Sequence, residues 1–333
     1  MRFPLLRLIC LAVIALGLLS GPAAAEDKAG WPTQLRFMAG PPGGNWFALG
    51  TALSEMWTKD VLQTTNSTGG GVSNIINANL KKGDLGFTVN SFIGAAVNGE
   101  EDFSGRKVEN AVVFANLYTQ VTYFVVRKDF ATKHGITSVD DLIAKNIPVR
   151  FATLKPGTAS EFLVKVLFSK GYNTNFAKLK KDHAWSVEYA SYEGGADLLA
   201  DSHLDCFAFS VGPVASIVMN IESRVPVEVL PVSQQALDAV SAAYGTTTYV
   251  IPTGVYTCVT QPTKTIGDFT SIVVRKDLPE SLVFALNKAL WQHKDAMVHA
   301  VKDMQELSPA MAVPTGVPVH PGSVKFWQSV KKL

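Results

Sequence analysis

Short apolar runs rich in β-branched residues alternate along this chain with stretches whose apolar residues recur at helical spacing. No other feature narrows the possible folds as much. Residues 35–39, 85–89, 121–127, 149–152, 185–190 and 205–210 read as strands. Between them Leu49, Leu53, Met56 and Trp57 stripe one helix and Val72, Ile76 and Leu80 a second. Ala159, Phe162, Leu163, Val166 and Leu167 stripe a third, and Leu282, Leu286, Ala289 and Leu290 another behind Pro279. Such alternation puts mostly parallel strands inside a sheet and helices on its faces, the α/β class. The run 121–127 is expected to cross into a second body, and 227–232 to lead back. The roughly 300 residues beyond the first 25 exceed what one core usually supports, so two lobes are expected.

A polar, glycine-rich loop feeds several of the helix starts. The loops are Gly43-Gly44-Asn45, Thr68-Gly69-Gly70-Gly71-Val72-Ser73-Asn74 and Pro156-Gly157-Thr158-Ala159-Ser160, with a weaker case at Ser210-Val211-Gly212-Pro213. A helix start presents unpaired backbone N–H groups and a partial positive charge, which suits a carboxylate. Glycine lets a ligand approach the backbone, and Thr68, Ser73, Thr158 and Ser160 add hydroxyls. Capping alone explains any one loop, and Thr158 with Glu161 spells a capping box. Their recurrence at strand ends, where open α/β sheets bind ligands, points instead to a site for a small organic anion. Trp46 and Phe47 stand beside the first loop, either covering a ligand or packing in the core. Tyr256 follows Pro252 and Gly254 and either enters the cleft or makes a contact between lobes. Lys155 either pairs with the anion or stays solvated.

The first residues carry a separate message. Arg2 and Arg7 precede an apolar run over residues 8–19 and a small-residue site at Ala23-Ala24-Ala25. This is the layout of a secretory signal peptide over residues 1–25, with a mature chain beginning at Glu26 in the periplasm. The run is too short for a spanning helix, which needs ~20 apolar residues. The signal holds two of the 30 basic residues and no acidic one, which leaves 28 of each sign. Such a balance gives no basic surplus for nucleic acid or an anionic membrane. The histidines are scattered without metal-ligand spacing, and neither a nucleophile elbow nor a phosphate-loop lysine pattern is present. No catalytic residue, metal ligand or cofactor is therefore expected, and the chain reads as a binding protein. Export permits a disulfide between Cys206 and Cys258, while their apolar settings suit buried free thiols.

At its loops the chain resembles the TAXI family of TRAP transporter solute receptors. Gly43-Gly44-Asn45-Trp46-Phe47-Ala48-Leu49-Gly50 is similar in form to that family's first loop and aromatic pair, and Thr68 to Asn74 to its Thr-Gly-Gly-Ser block. Val89-Asn90-Ser91-Phe92 resembles its next strand end, and Gly157-Thr158-Ala159-Ser160 stands where it has Gly-Ser-Gly-Thr. Leu204-Asp205-Cys206 with Gly212-Pro213 follows, and Ile251-Pro252-Thr253-Gly254-Val255-Tyr256 resembles its Ile-Pro-x-Gly-x-Tyr signature. The blocks keep the family's order through most of the chain. The resemblance implies a periplasmic binding protein type II-like fold, two α/β lobes joined by hinge strands that close as a Venus flytrap. The lobes would be residues 31–123 plus 236–333, and 124–235. It also implies a monomer that hands a dicarboxylate, 2-oxoacid or acidic amino acid such as glutamate to an integral membrane TRAP permease. Carried onto this sequence, the site comprises Gly44, Asn45, Trp46, Phe47, Thr68, Gly70, Gly71, Ser73, Asn74, Asn90, Lys155, Gly157, Thr158, Ser160, Gly212 and Tyr256. Gly71, Asn90 and Phe92 depart from the family's serine, glutamine and aspartate, which makes that corner more apolar. A receptor of an ABC system, or a lobed enzyme or surface antigen that has kept the fold, are the alternatives.

Overall fold

The computed structural model describes residues 28–314 and 317–331; the expected signal peptide lies outside them. The first body is a wound unit of three strands and three helices. They are β1 (Leu35–Met38), α1 (Asn45–Asp60), β2 (Thr64–Ser67), α2 (Gly71–Asn79), β3 (Leu85–Val89) and α3 (Asn90–Asn98). Strand β4 (Ala111–Arg127) then runs for 17 residues, buried almost throughout. Helices α4 (Lys128–His134) and α5 (Val139–Ala144) follow it.

The second body repeats the grammar of the first. It contains β5 (Arg150–Leu154), α6 (Ala159–Val166), α7 (Phe176–His183), β6 (Ser186–Ala190), α8 (Tyr192–Ala200), β7 (Cys206–Val211) and α9 (Ser216–Arg224). Then come β8 (Val227–Val229), α10 (Gln234–Tyr244), β9 (Thr247–Ile251) and β10 (Thr263–Arg275). The C-terminal helices are α11 (Glu280–Gln292), α12 (Lys294–Ala300) and α13 (Pro321–Val330).

All ten strands belong to one sheet in the order β2-β1-β3-β10-β4-β7-β5-β6, with β9 on β10 and β8 on β4. Strand β1 lies between β2 and β3, parallel to both, and β5 lies between β6 and β7 in the same way. Each lobe thus has its first strand at the centre, with the helices covering the faces. The two long strands join the lobes. Strand β4 pairs with β10 from Ala111 to Val121 and then with β7 from Val121 to Val126. Strand β10 pairs with β9 over Thr263–Gly267 and with β3 over Thr270–Val274.

The same clamp locks the base of each lobe. In the first, Asp84 precedes β3 and accepts from the Arg36 backbone N–H at 2.8 Å and from its Nε at 3.1 Å. In the second, Asp205 precedes β7 and accepts from Arg150 at the same two atoms, at 2.8 and 3.1 Å. Arg275 adds a second cation to Asp84 at 2.7 Å. A carboxylate so placed ties the first strand of each unit to its third and neutralises the arginine beside it. Cys206 and Cys258 are free thiols, so the disulfide left open by the sequence does not form here.

Candidate functional site

The loops leaving β1 and β2 face those leaving β5 and β6, and the lobes are shut on each other. The Val72 N–H donates to the Gly157 carbonyl at 3.2 Å. Phe92 packs on Phe162 with ring centroids 4.2 Å apart, and Lys165 pairs with Asp102 at 2.7 Å. A small cavity of about 20 Å³ remains between the loops, room for about one water. Gly44, Asn45, Trp46, Gly70 and Gly71 line it from the first lobe, and Thr158, Ser160, Tyr192 and Gly212 from the second, with Gln120 of the crossing strand β4. A larger hollow of about 470 Å³ continues outward between Pro41, Pro42 and Ser73 on one side and Lys155, Gly157 and Glu193 on the other.

What the helix starts offer depends on who already occupies them, because the first N–H groups of a helix have no partner within it. Ser191 caps α8 by accepting from the Gly194 N–H at 3.0 Å. The Tyr256 hydroxyl accepts from the Ala215 N–H at 2.8 Å, just ahead of α9. The Asp268 carboxylate accepts from the Ser91 N–H of α3 at 3.2 Å. At α1 the Asn45 side chain donates to Asp303 at 3.1 Å. That contact leaves the α1 backbone N–H groups untouched, so three starts at the cavity, those of α1, α2 and α6, keep open backbone N–H groups among the described residues. At α2, Gly70 supplies no side-chain cap, and Ser73 bonds back to the Gly70 backbone. At α6, Thr158 accepts only from the Glu161 N–H, at 3.3 Å. The starts of α2 and α6 face each other: a Cβ added at Gly71 would lie 3.7 Å from the Ala159 nitrogen. Gly71 has no room for that atom, since it would come within 2.5 Å of the Phe92 ring.

The side chains expected at the site divide accordingly. Gly44, Asn45, Trp46, Gly70, Gly71, Thr158, Ser160 and Gly212 line the inner cavity, and Ser73, Lys155 and Gly157 line the outer hollow. Phe47, Thr68, Asn74, Asn90 and Tyr256 line neither. Asn74 is fully buried and donates to the carbonyls of Met38, Ala39 and Phe87, tying β1 to β3. Asn90 accepts from Ser271 at 2.8 Å. The Tyr256 hydroxyl binds Pro213 and Ala215, so it holds a loop of the second lobe in place of entering the cleft. Trp46 lines the cavity and packs in the core. Its ring stacks on Phe87 in the core, and its Nε1 donates to Thr270 at 3.1 Å.

The hydroxyls proved less free than the loops suggested. Ser160 Oγ accepts from the Ser210 N–H at 2.9 Å and donates to its carbonyl at 3.1 Å. Thr158 Oγ1 donates to Lys155 O at 2.8 Å. Pattern reading credited hydroxyls with ligand contacts because it could not see these local partners. What stays open is backbone N–H.

Several lining or supporting residues were not foreseen. Gln120 is 4% exposed, and its Oε1 accepts from Thr270 at 2.8 Å. Its Nε2 has no partner among the described residues and is left to the cavity. Asp303 is 2% exposed, and burial raises its carboxyl to about 6 although the Val214 N–H and Asn45 pull the other way. Burial likewise raises Asp268 to about 6 and the Tyr192 hydroxyl to about 12. No local motif flags Gln120, which sits inside a strand. Asp303 reaches Asn45 from 258 positions away. Among the described residues no group of His, Cys, Asp and Glu is placed to hold a metal ion, and no helix is long and apolar enough to cross a membrane.

A family model described as NMT1-like matches residues 37–329. No curated protein sequence matches the chain. Among solved structures, the malate-bound MatC protein of Rhodopseudomonas palustris is similar at 14% identity and a TM-score of 0.52, over 91% of this chain and 97% of that one. A TctC solute-binding protein from Polaromonas aligns at 14% identity and a TM-score of 0.46, over 90% and 98%. The alkanesulfonate-binding protein SsuA from Xanthomonas axonopodis pv. citri aligns at 15% and 0.45, over 91% and 93%. The likeness to MatC reaches the level at which two folds are the same, a pair of α/β lobes joined by crossing strands.

Proposed function

The chain belongs to the NMT1-like family, and from that premise we propose that it is a receptor that captures a small organic anion between its lobes and delivers it to a membrane permease. One observation carries this reading. The starts of α2 and α6, one from each lobe, meet beside a small cavity, and the Gly71 and Ala159 N–H groups there have no partner among the described residues. Two opposed helix starts bind an anion better than either alone, and both are engaged only when the lobes are shut. Binding and closure are then one event, because the ligand favours the closed form by its contacts to both lobes. No catalytic constellation competes for the site.

The finer reading is a TAXI-type receptor of a TRAP system, exported to the periplasm, working as a monomer and dividing near residues 123 and 235. It rests on the order of the loop blocks and on the Ile251-Pro252-Thr253-Gly254-Val255-Tyr256 signature. Dicarboxylates, 2-oxoacids and acidic amino acids are the ligand classes it brings.

A thermal-shift screen of small carboxylates tests the receptor reading. A ligand at one hundred times its Kd stabilises the folded form by about 2.7 kcal/mol, enough for a clear rise in Tm. A screen in which only sugars or cations raise the melting point removes the anion reading. Uptake assays then separate the systems, since dependence on an ATPase partner would replace TRAP by ABC. N-terminal sequencing of the exported protein should begin within a residue or two of Glu26.

A further inference from the structure

The inner cavity has two unlike sides. On one, the Gly71 and Ala159 N–H groups at the starts of α2 and α6 come together, without a partner among the described residues. On the other stand Asn45 and Gly212, and directly behind both lies Asp303. Its Oδ2 accepts from Asn45 Nδ2 at 3.1 Å, and a Cβ added at Gly212 would fall 1.7 Å from the same oxygen. That approach is possible only because residue 212 is glycine. The carboxylate is buried, lies one residue layer from the cavity, and has no cationic side chain paired with it among the described residues. No lysine or arginine side chain lines the cavity either. Between the two sides, the unpartnered Nε2 of Gln120 offers a donor to a neutral acceptor on the solute.

Building on the anion-receptor reading, we propose that the solute, admitted when the lobes part beyond the one-water cavity seen here, carries a single carboxylate seated between the starts of α2 and α6, and that its far end, facing Asn45 and Asp303, is neutral or cationic. A second carboxylate at that end would meet Asp303 with no cation between them, and like charges in a water-poor site repel strongly. An amide, hydroxyl or ammonium group there meets no such repulsion, and a donor would be drawn to the acidic side. Asp303 would thus act as a specificity residue that rejects dianions without touching the carboxylate that is bound. Selection of this kind works by a repulsive element against the wrong ligand.

The test uses the mature full-length protein and a panel of 2-oxoacids, hydroxy acids and amino acids that includes isosteric pairs. Glutamine against glutamate and succinamate against succinate change one charge and little else. The expected risers in Tm are monocarboxylates, and by calorimetry the monocarboxylate of a pair binds at least about tenfold tighter than its dianion partner. Asp303→Asn should narrow that gap by improving the dianion, after its cooperative melting is checked. A dianion that binds the unaltered protein as tightly as its isostere overturns the proposal and leaves the receptor reading intact. If no carboxylate of either kind shifts the melting point, both fall together. The comparison within the unaltered protein decides the matter even if Asp303→Asn does not fold.

Discussion

The two lobes share a strand order and an Arg–Asp clamp, yet they finish their helix starts in opposite ways. In the second lobe the caps at α6 and α8 are local: the Thr158 and Ser191 hydroxyls accept from N–H groups three residues on. In the first lobe α1, α2 and α3 follow Gly44, Gly70 and Val89, none of which supplies a side-chain cap. The N-terminus of α3 is served by a carboxylate from far along the chain, Asp268, and those of α1 and α2 are left open. One scaffold can therefore be self-sufficient on one side and dependent on its C-terminal segment on the other. The open start at α2 faces the start of α6 in the second lobe.

The clamps offer the largest test of this contrast. Asp84 holds two arginines and Asp205 one. Removing a buried partner leaves the other charges uncompensated. With the guanidinium groups partly solvated, Asp84→Ala should cost about 3 kcal/mol and Asp205→Ala about 2 kcal/mol. Urea unfolding of both variants measures the order, and equal losses would show that Arg275 adds nothing to the first lobe.

The remote carboxylates should give the first lobe its own pH signature. Asp268 and Asp303 carry pKa values of about 6 in the folded state, against an ordinary value near 4. A raised carboxyl stabilises the fold fully below the unfolded value and loses that contribution as pH climbs through the folded one. Each of the two should therefore lower stability by on the order of 2 kcal/mol between pH 4 and pH 7, and Asp268→Asn should flatten about half of the slope. A melting temperature that rises steadily across this window would remove Asp268 and Asp303 from the account.

Local caps predict smaller, separable losses. Thr158→Ala and Ser191→Ala should each cost ~1 kcal/mol, with no counterpart to delete in the first lobe. Smallest of all is Ser73→Ala. Its hydroxyl bonds to the Gly70 backbone, so affinity for the bound solute should change by less than about threefold, a difference calorimetry resolves. A hundredfold loss would return the hydroxyl to the ligand and make the two lobes alike.

This contrast also explains what the sequence could disclose. The strand at residues 85–89 and the Thr158 cap are written in contiguous residues, so pattern reading finds them. Strand β4 was legible only from Val121 onward. Its first half, with Asn116, Thr119 and Gln120 among apolar residues, lacks the unbroken β-branched run that marks the second. Strand β10 escaped notice because Lys264, Gly267 and Asp268 interrupt it and two register shifts break its pairing with β4. The glycine loops were legible as loops, and their place at strand ends marked the region of the site. Which of them would stay open was not, because Asp268, Asp303 and Gln120 acquire their roles only through tertiary contact. Tyr256 shows the same limit from the other side: a motif residue whose hydroxyl turns out to brace a neighbouring loop.

At one level of the sheet Thr247, Gly267, Val121 and Val211 stand in a single row across β9, β10, β4 and β7. Above and below that row β4 belongs to different neighbours. The lobes are therefore coupled through hydrogen-bonded β-structure, which resists stretching and shear but yields to twist. Opening the cleft amounts to winding a torsion bar, with a restoring torque that grows with the angle. The ease of opening is then set by the stiffness of four strands at one rung and hardly at all by the length of any loop.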